Sequence, residues 1–377
     1  MKVGILCENY YPTLGGEQEH IFHLRRHLEC PADGAPPVEV RIIVPRVLGG
    51  PWHGPRDDAS VLRPAPSWRI HGLGSASQMT LSPAALPGLR RIFAHERFDL
   101  LHIHAPCDLG LPAWALAAFR GPIIGTLHSY FAPDDPRRLL APWYRYVMGR
   151  MTRVIAVSAA ARDTMARYAT FDATIIGNGV DCRAFASGRP LARFADGLTN
   201  ILSVGRLEHR NGVDLVIEAF GLLARSRPDL RLLLVGDGPL RKECEARIRR
   251  LGDRVAERIV MLGAVWDGRP DLYASAHCFA LGARRTSFSI LLLEALAAGL
   301  RVAALPAAGT KRAGDHWSLV DMADADTPIA YAEALGRALI PPTPAQRAHA
   351  QAMAGRYDWS RIVPRIRQVY EEALGRR

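Results

Sequence analysis

One rhythm governs this chain. Short apolar runs of strand length, rich in β-branched residues and closed by turn residues, alternate with stretches of helical periodicity. Lys2–Cys7 is the first run, followed by a glycine turn and a helical pattern from about Glu17 to Leu28. Glu39–Val44, Leu100–His104, Pro122–Leu127, Val154–Val157 and Ala173–Ile176 continue the series. A second series starts near Asn200, with Ile201–Val204, Arg231–Val235, Ile259–Leu262, His277–Leu281 and Arg301–Ala304. Such β-then-α alternation builds a parallel sheet covered on both faces. The fold class is therefore α/β, and ligands in such sheets sit at the carboxyl ends of the strands.

At 377 residues the chain is too long for one ordinary domain and suits two. Arg183 to Leu198 holds Ala, Gly, Pro and Arg with little periodicity. It is expected to be a linker, residues 183–198, between an N-terminal domain of residues 1–182 and a C-terminal domain of residues 199–355. Residues 356–377 read as an amphipathic helix, expected to pack back towards the N-terminal domain. Ile362, Ile366, Val369 and Tyr370 share one face, and Pro364 falls in about the first turn, where proline is tolerated. Residues 50–66, rich in Pro and Gly, are expected to form an exposed loop.

No apolar run reaches the roughly 18–20 residues that a membrane span needs, and the N-terminus carries no signal-peptide pattern. Six cysteines are scattered without a CxxC pair, so zinc and redox motifs have no support and a reduced, cytoplasmic setting is expected. The net charge of +11 is carried almost wholly by arginine and is spread along the chain. It is either a solvated surface or an attraction to anionic partners: a nucleotide diphosphate, a phosphate-bearing acceptor, an acidic membrane or nucleic acid. No aromatic-plus-basic module appears, so no nucleic-acid partner is expected. The segment Leu86 to Phe93 is basic and apolar, as an interfacial helix would be, which would suit peripheral contact with the inner membrane face.

Four blocks carry chemistry. Gly15-Gly16 follows the first strand and opens a helix. A glycine pair admits close approach of backbone to a ligand, and a helix start favours negative charge. Read alone, it is as well an ordinary turn. His102 and His104 lie on one face of their strand, and His128 ends the next. Val204-Gly205-Arg206 to Arg210-Asn211-Gly212 is a strand end followed by cations. Thr286-Ser287-Phe288-Ser289-Ile290 to Glu294 is a polar loop feeding an apolar helix that ends at Gly299, a ready anion site.

Taken in order, these blocks resemble the retaining nucleotide-sugar glycosyltransferases of family 4, and most closely the phosphatidylinositol mannosyltransferase-like enzymes. Phe98 to Pro106, Gly121 to Ser129, Ile155 to Ser158, Ile176 to Asp181 and Leu234 to Leu240 extend the likeness over nearly the whole chain. The resemblance implies the GT-B architecture, two Rossmann-like domains facing a central cleft. It implies a nucleotide-diphosphate sugar as co-substrate, with no cofactor and no metal, and a lipid, phosphoinositide-like or small polyol acceptor. By the same resemblance His128 and Arg206 are catalytic. Gly16, Arg206, Arg210, Thr286, Ser289, Ile290 and Glu294 bind the donor, with Glu294 on the ribose. Tyr10, Gln18 and Ser129 face the acceptor.

The donor half departs from the pattern at three places. Thr286 stands for the first of two signature glutamates, Ser289 for a glycine, and Asn211 for a diphosphate-clamping lysine, beside which Arg210 could serve instead. The departures leave a second reading open, a non-catalytic pseudo-glycosyltransferase that binds a ligand or partner. Arg284 and Arg285 are either solvated or suited to an anionic sugar. Asp324-Ala325-Asp326 spells a metal-binding motif of another fold and is read here as a loop.

Overall fold

The computed structural model describes residues 1–13, 15–49, 54–72, 75–131, 135–307 and 318–375. Within it the chain divides into two units, Met1–Gly179 with Trp359–Arg377, and Val180–Asp358.

Among its described residues the first unit holds ten strands: β1 (Lys2–Leu6), β2 (Glu39–Ile43), β3 (Arg46–Val47), β4 (Val61–Leu62), β5 (Pro66–Gly72), β6 (Ser75–Met79), β7 (Leu100–His104), β8 (Ile123–Leu127), β9 (Arg153–Ala156) and β10 (Thr174–Ile175). Seven form one sheet in the order β10-β9-β8-β7-β1-β2-β4, and every pair is parallel. β7 and β8 are buried along their whole length, as strands covered on both faces must be. Strand order reverses between β1 and β7, so the carboxyl ends of those two strands form the place where a ligand crevice opens. β3, β5 and β6 make a separate small sheet.

The second unit holds β11 (Thr199–Val204), β12 (Leu230–Val235), β13 (Ile259–Gly263), β14 (Cys278–Leu281), β15 (Arg301–Ala304) and β16 (Val320–Met322). They form one parallel sheet in the order β13-β12-β11-β14-β15-β16, with the reversal between β11 and β14. Side chains alternate across this sheet. Ile201, Leu232 and Leu234 pack on one side with the helices Val213–Ala224 and Pro328–Ala338. Leu202, Leu233 and Val235 pack on the other with the helix Ile290–Ala297.

The eleven strands expected from the sequence are all present. Five were not foreseen. β4 is two residues long and the β5–β6 hairpin lies within and beyond the expected loop, of which residues 50–53 fall outside the described residues. A two-residue strand has no period to read.

The expected linker is corrected. Residues 183–198 belong to the second unit, where Phe185, on the helix Cys182–Ala186, and Phe194 are buried in the same core as Leu202 and Tyr273. Low periodicity concealed two aromatic anchors.

The last helix, Trp359–Ala373, belongs to the first unit, with Ile362, Ile366, Val369 and Tyr370 buried. Pro364 sits in its second turn rather than its first. The chain passes between units at Gly179 and again at Asp358. A side chain at Gly179 would press into the Trp359 indole, so only glycine fits. No helix among the described residues is long and apolar enough to cross a membrane.

Candidate active-site residues

In the first unit, four histidines meet beside the strand reversal. His102 and His104 point to one face of β7, two residues apart. His102 is wholly buried, with Nδ1 2.7 Å from the Tyr370 hydroxyl and Nε2 2.6 Å from Thr126 Oγ1. His104, also wholly buried, places Nδ1 2.8 Å from Nε2 of the half-buried His128, just past β8. The two rings lie nearly parallel, 5.1 Å between centroids. His20, from the helix Gly16–Glu29, stands 5.5 Å from His104, 5.4 Å from His128 and 5.2 Å from the Trp359 ring. Burial holds all four imidazoles below their ordinary range, His102 at about 3 and His128 at about 4, and neighbouring rings add to the effect in His20, His102 and His104. They are neutral near pH 7 and act by hydrogen bonds, not by charge. His102 and His104 are thus supports behind His128.

A set of carboxyls stands close by. Glu8, immediately past β1, accepts a hydrogen bond from Thr80 Oγ1 at 2.7 Å and another from the Leu111 N–H that opens the helix Leu111–Ala118. Burial raises it to about 7. Glu17 and Asp108, both half-buried, are raised to about 8 and about 6, first by burial; in Glu17 the charges of Asp108 and Glu8 add to it. Sequence reasoning assigned no role to these groups, although Glu8 directly follows the first strand.

The expected acceptor residues separate. Ser129 is exposed beside His128 and Gly16 is exposed at its helix start. Tyr10 is buried edge-on to Tyr11 at 4.9 Å, and its carbonyl accepts from Thr13. Gln18 is buried beneath Gly15, its Nε2 3.4 Å from Thr13 Oγ1. Leu14 of this loop lies outside the described residues.

In the second unit the reversal between β11 and β14 places Arg206 at the sheet's carboxyl edge. Gly205 N–H donates to the Val235 carbonyl, and a side chain at Gly236 would strike the Gly205 carbonyl, so the two strand ends meet backbone to backbone. Glu208, only 2% exposed, takes Arg206 Nη2 on one oxygen and Arg210 Nε on the other, each at 2.8 Å. Asn211, at the place of the expected lysine, donates from Nδ2 to the Arg206 carbonyl at 2.8 Å. It ties the loop and supplies no charge. Gly205, Arg206, Asn211 and Val213 line a small pocket here with Leu234.

Arg284, on the neighbouring strand end, is not open to an anionic sugar. Its guanidinium binds Asp214, Asp326 and the His209 carbonyl, which also accounts for one aspartate of the Asp324-Ala325-Asp326 motif. Arg285 is exposed.

The loop of Thr286, half-buried, leads into Ile290–Ala297. Ser289 is the N-cap: its Oγ accepts from Leu292 N–H at 3.2 Å. The serine that replaces a signature glycine therefore closes the helix start. A side chain on Gly205 would come within 3.9 Å of Leu291, so the Arg206 loop adjoins this first turn. Cations and a positive helix end together suit a bound anion.

Glu294 is turned inward. It is 2% exposed, accepts from the Tyr273 hydroxyl at 2.7 Å and lies 3.3 Å from Arg269 Nη2. Sequence reasoning missed Glu208, Tyr273 and Arg269. Only Glu208 carried a visible signal, standing between two arginines.

Comparison with known proteins gives matches along the chain. A family model described as Glycosyltransferase Family 4 matches residues 14–184, and one described as Glycosyl transferases group 1 matches residues 199–340. The chain is 30% identical to the phosphatidyl-myo-inositol mannosyltransferase of Mycobacterium tuberculosis (strain ATCC 25618 / H37Rv), across 100% of this chain and 98% of that one. It is also 30% identical to the Mycobacterium leprae protein of the same name, across 98% and 96%. Among solved structures, Anabaena Alr3699/HepE in complex with UDP and glucose aligns with a TM-score of 0.75 at 20% identity, across 99% of this chain and 100% of that one. Sucrose-phosphate synthase from Thermosynechococcus elongatus aligns at 0.74 and 17%, across 99% of each.

Proposed function

Because the chain belongs to glycosyltransferase family 4, we propose that it is a retaining, metal-independent hexosyltransferase that moves a sugar from a nucleotide-diphosphate donor to a hydroxyl acceptor. The observation that carries the donor half is Arg206 at the strand-order reversal of the second sheet, beside the capped helix start at Ser289. Arg206 and the first-turn N–H groups around Ile290 stabilise the diphosphate, whose charge grows as the nucleotide leaves. Arg210 reinforces Arg206 through their shared Glu208. Thr286 contacts the sugar with a neutral hydroxyl, a weaker bond than a carboxylate would make. Glu294 would serve the ribose through carboxylate lone pairs beyond those that Tyr273 and Arg269 engage.

The acceptor hydroxyl attacks on the donor face from which the nucleotide departs, and the leaving phosphate takes up the proton. Gly16 borders the donor and His128 lines the reaction centre, while Ser129 serves the acceptor side, with Tyr10 and Gln18 shaping the loop beneath Gly16. The names of the mycobacterial relatives support a lipid-borne polyol acceptor, and the UDP and glucose of the Anabaena complex support a nucleotide-sugar donor. A lipid acceptor suits peripheral membrane contact through the helix Ala85–Glu96, where Arg90 and Arg91 are exposed. Calorimetric titration with a panel of nucleoside diphosphates tests this reading. Failure of the folded protein to bind any of them would overturn it in favour of a non-catalytic protein.

A further inference from the structure

We propose that the first unit docks on an anionic lipid surface through the segment that follows β8, with Leu139 and Tyr146 entering the headgroup layer and Arg138 and Arg145 pairing with lipid phosphates. The segment is a tight helical turn, Pro136–Leu140, running directly into the helix Ala141–Arg150. Tyr144, Val147 and Met148 bury one face of that helix. Its other face turns Arg145 and Tyr146 outward, and Leu139 stands about one turn before Trp143. Leu139 is 80% exposed, Tyr146 50% and Leu109, in the loop after β7, 44%. Single exposed apolar side chains are ordinary, but a contiguous group of them marks an interaction surface. Trp143 makes this group contiguous. Its ring lies 5.5 Å from that of Tyr146, and its Nε1 donates to the Cys107 carbonyl at 2.9 Å, two residues from Leu109.

Charge selects the partner. Residues 136–150 contain Arg137, Arg138, Arg145 and Arg150 and no Asp or Glu. Two of these arginines are used within the protein. Arg137 is clamped by the buried Asp135 and lies 3.7 Å over the Phe131 ring, and Arg150 donates to the Phe119 carbonyl at 3.3 Å. Arg138 and Arg145 are exposed, and among the described residues neither side chain has a hydrogen-bond or ion-pair partner. An apolar tip, aromatic rings with polar edges and long cationic stems beside them make the composition of an interfacial segment. The stems can lie along the apolar side chains while the guanidinium groups reach phosphate. Two unpaired cations favour an anionic leaflet over a zwitterionic one.

This face is separate from the helix Ala85–Glu96. It belongs to the connection between β8 and β9, which Ser129 also opens, so a leaflet held at Leu139 lies one loop from the acceptor side. The docking face rests on the geometry of the first unit alone, whereas its use, presenting a lipid-borne acceptor, rests on the glycosyltransferase reading.

The test is co-sedimentation of the full-length protein with vesicles of equal parts phosphatidylcholine and phosphatidylglycerol, and with vesicles of phosphatidylcholine alone. Partitioning onto the first and little onto the second is expected. Arg138→Gln/Arg145→Gln should weaken partitioning about 25-fold, since one arginine near an anionic leaflet contributes about fivefold. Leu139→Gln/Tyr146→Gln should weaken it about 10-fold. Raised salt should reproduce the first loss and not the second. All the altered positions are exposed, so both variants should unfold in urea at the unaltered midpoint. An unaltered protein that stays in solution with the anionic vesicles overturns the proposal, as does unchanged partitioning of both variants. A loss confined to Arg90→Gln/Arg91→Gln would overturn it by placing the contact on Ala85–Glu96 alone. A dimer that both variants dissociate, with vesicle binding intact, would overturn it in favour of a second copy of the chain. Vesicle binding lost in both variants, in a protein that binds no nucleoside diphosphate, would leave the docking face standing and sink the glycosyltransferase reading.

Discussion

Removing Arg206 should separate two effects that share one carboxylate. Arg206→Ala takes away a guanidinium whose side chain is 23% exposed and whose Nη2 is ion-paired to Glu208. A hydrogen bond to a charged group contributes about 1.5–3 kcal/mol, and partial exposure favours the lower half of that range. Nucleoside diphosphate affinity should therefore fall about 10- to 40-fold, at about 1.4 kcal/mol per tenfold. The fold should suffer separately. Glu208 is buried and would keep Arg210 alone. Stripping every partner from a buried charge costs about 3–5 kcal/mol, so losing one of two should cost about 1–2 kcal/mol. Titration calorimetry reads the first effect and chemical denaturation the second. The double variant Arg206→Ala/Glu208→Gln should recover the stability and leave the affinity low. An Arg206→Ala protein that is folded and binds within twofold of the unaltered protein would refute the donor assignment. A double variant that recovers binding would show that Arg206 merely neutralises Glu208.

Three further outcomes are expected. Thr286→Glu should leave the affinity for sugar-free nucleoside diphosphates within about twofold and change the affinity for the nucleotide sugar; the same titrations check this, and equal shifts in both would place Thr286 away from the sugar. Gly212 has φ +64° and its Cα faces the Gly282 carbonyl, so Gly212→Ala meets both strain and a backbone clash; the loss should exceed about 3 kcal/mol in urea denaturation, and a loss below about 1 kcal/mol would show the loops free to part. Glu8 is held at about 7 against an ordinary 4.5, so the folded chain keeps a proton that the unfolded chain releases between those values. Its stabilisation is present in full below pH 4.5 and is lost as pH rises through about 7, a change on the order of 3 kcal/mol. Glu8→Gln should flatten that loss between pH 5 and 7.5 in paired denaturation curves. The buried histidines act in the opposite direction but are common to both proteins, so unchanged slopes would refute the burial argument.

The two sheets were legible because a buried parallel strand is a short β-branched run between turns, and β1, β7, β8, β11 and β12 each read that way. β4 was hidden by its length, and Phe185 and Phe194 by the irregular backbone around them. In the second unit, Arg206 follows the strand end and the helix begins after Ser289, as the strand run and the polar loop before an apolar helix had indicated. What sequence could not supply was pairing across distance. Tyr370 meets His102 across 268 positions and Tyr273 meets Glu294 across 21. No local pattern announces such bonds, because each is made by separate elements packing on one sheet. The same limit explains why Arg284 read as a free cation when it closes the loops after β11 and β14.

The departures in the donor half share a physical character. Asn211 bonds the Arg206 carbonyl and Ser289 caps a helix, so two of the three substituted residues bond to backbone. Such a residue costs the scaffold little when it replaces a ligand-binding one, because local stability is kept while charge is lost. Electrostatics then narrows what the site can do. Two arginines on one buried glutamate present a net charge of about one towards a diphosphate. The helix start must carry a larger share of the phosphate charge than it would beside two unpaired cations. In the proposed donor site, Thr286 would remove a negative charge from the sugar side, so a deficit of positive charge near the phosphates would be matched by a deficit of negative charge near the sugar. Matched losses preserve the balance a neutral pocket needs, which a site abandoned piecemeal would have no reason to keep. They favour a donor site changed in its sugar over one emptied of function.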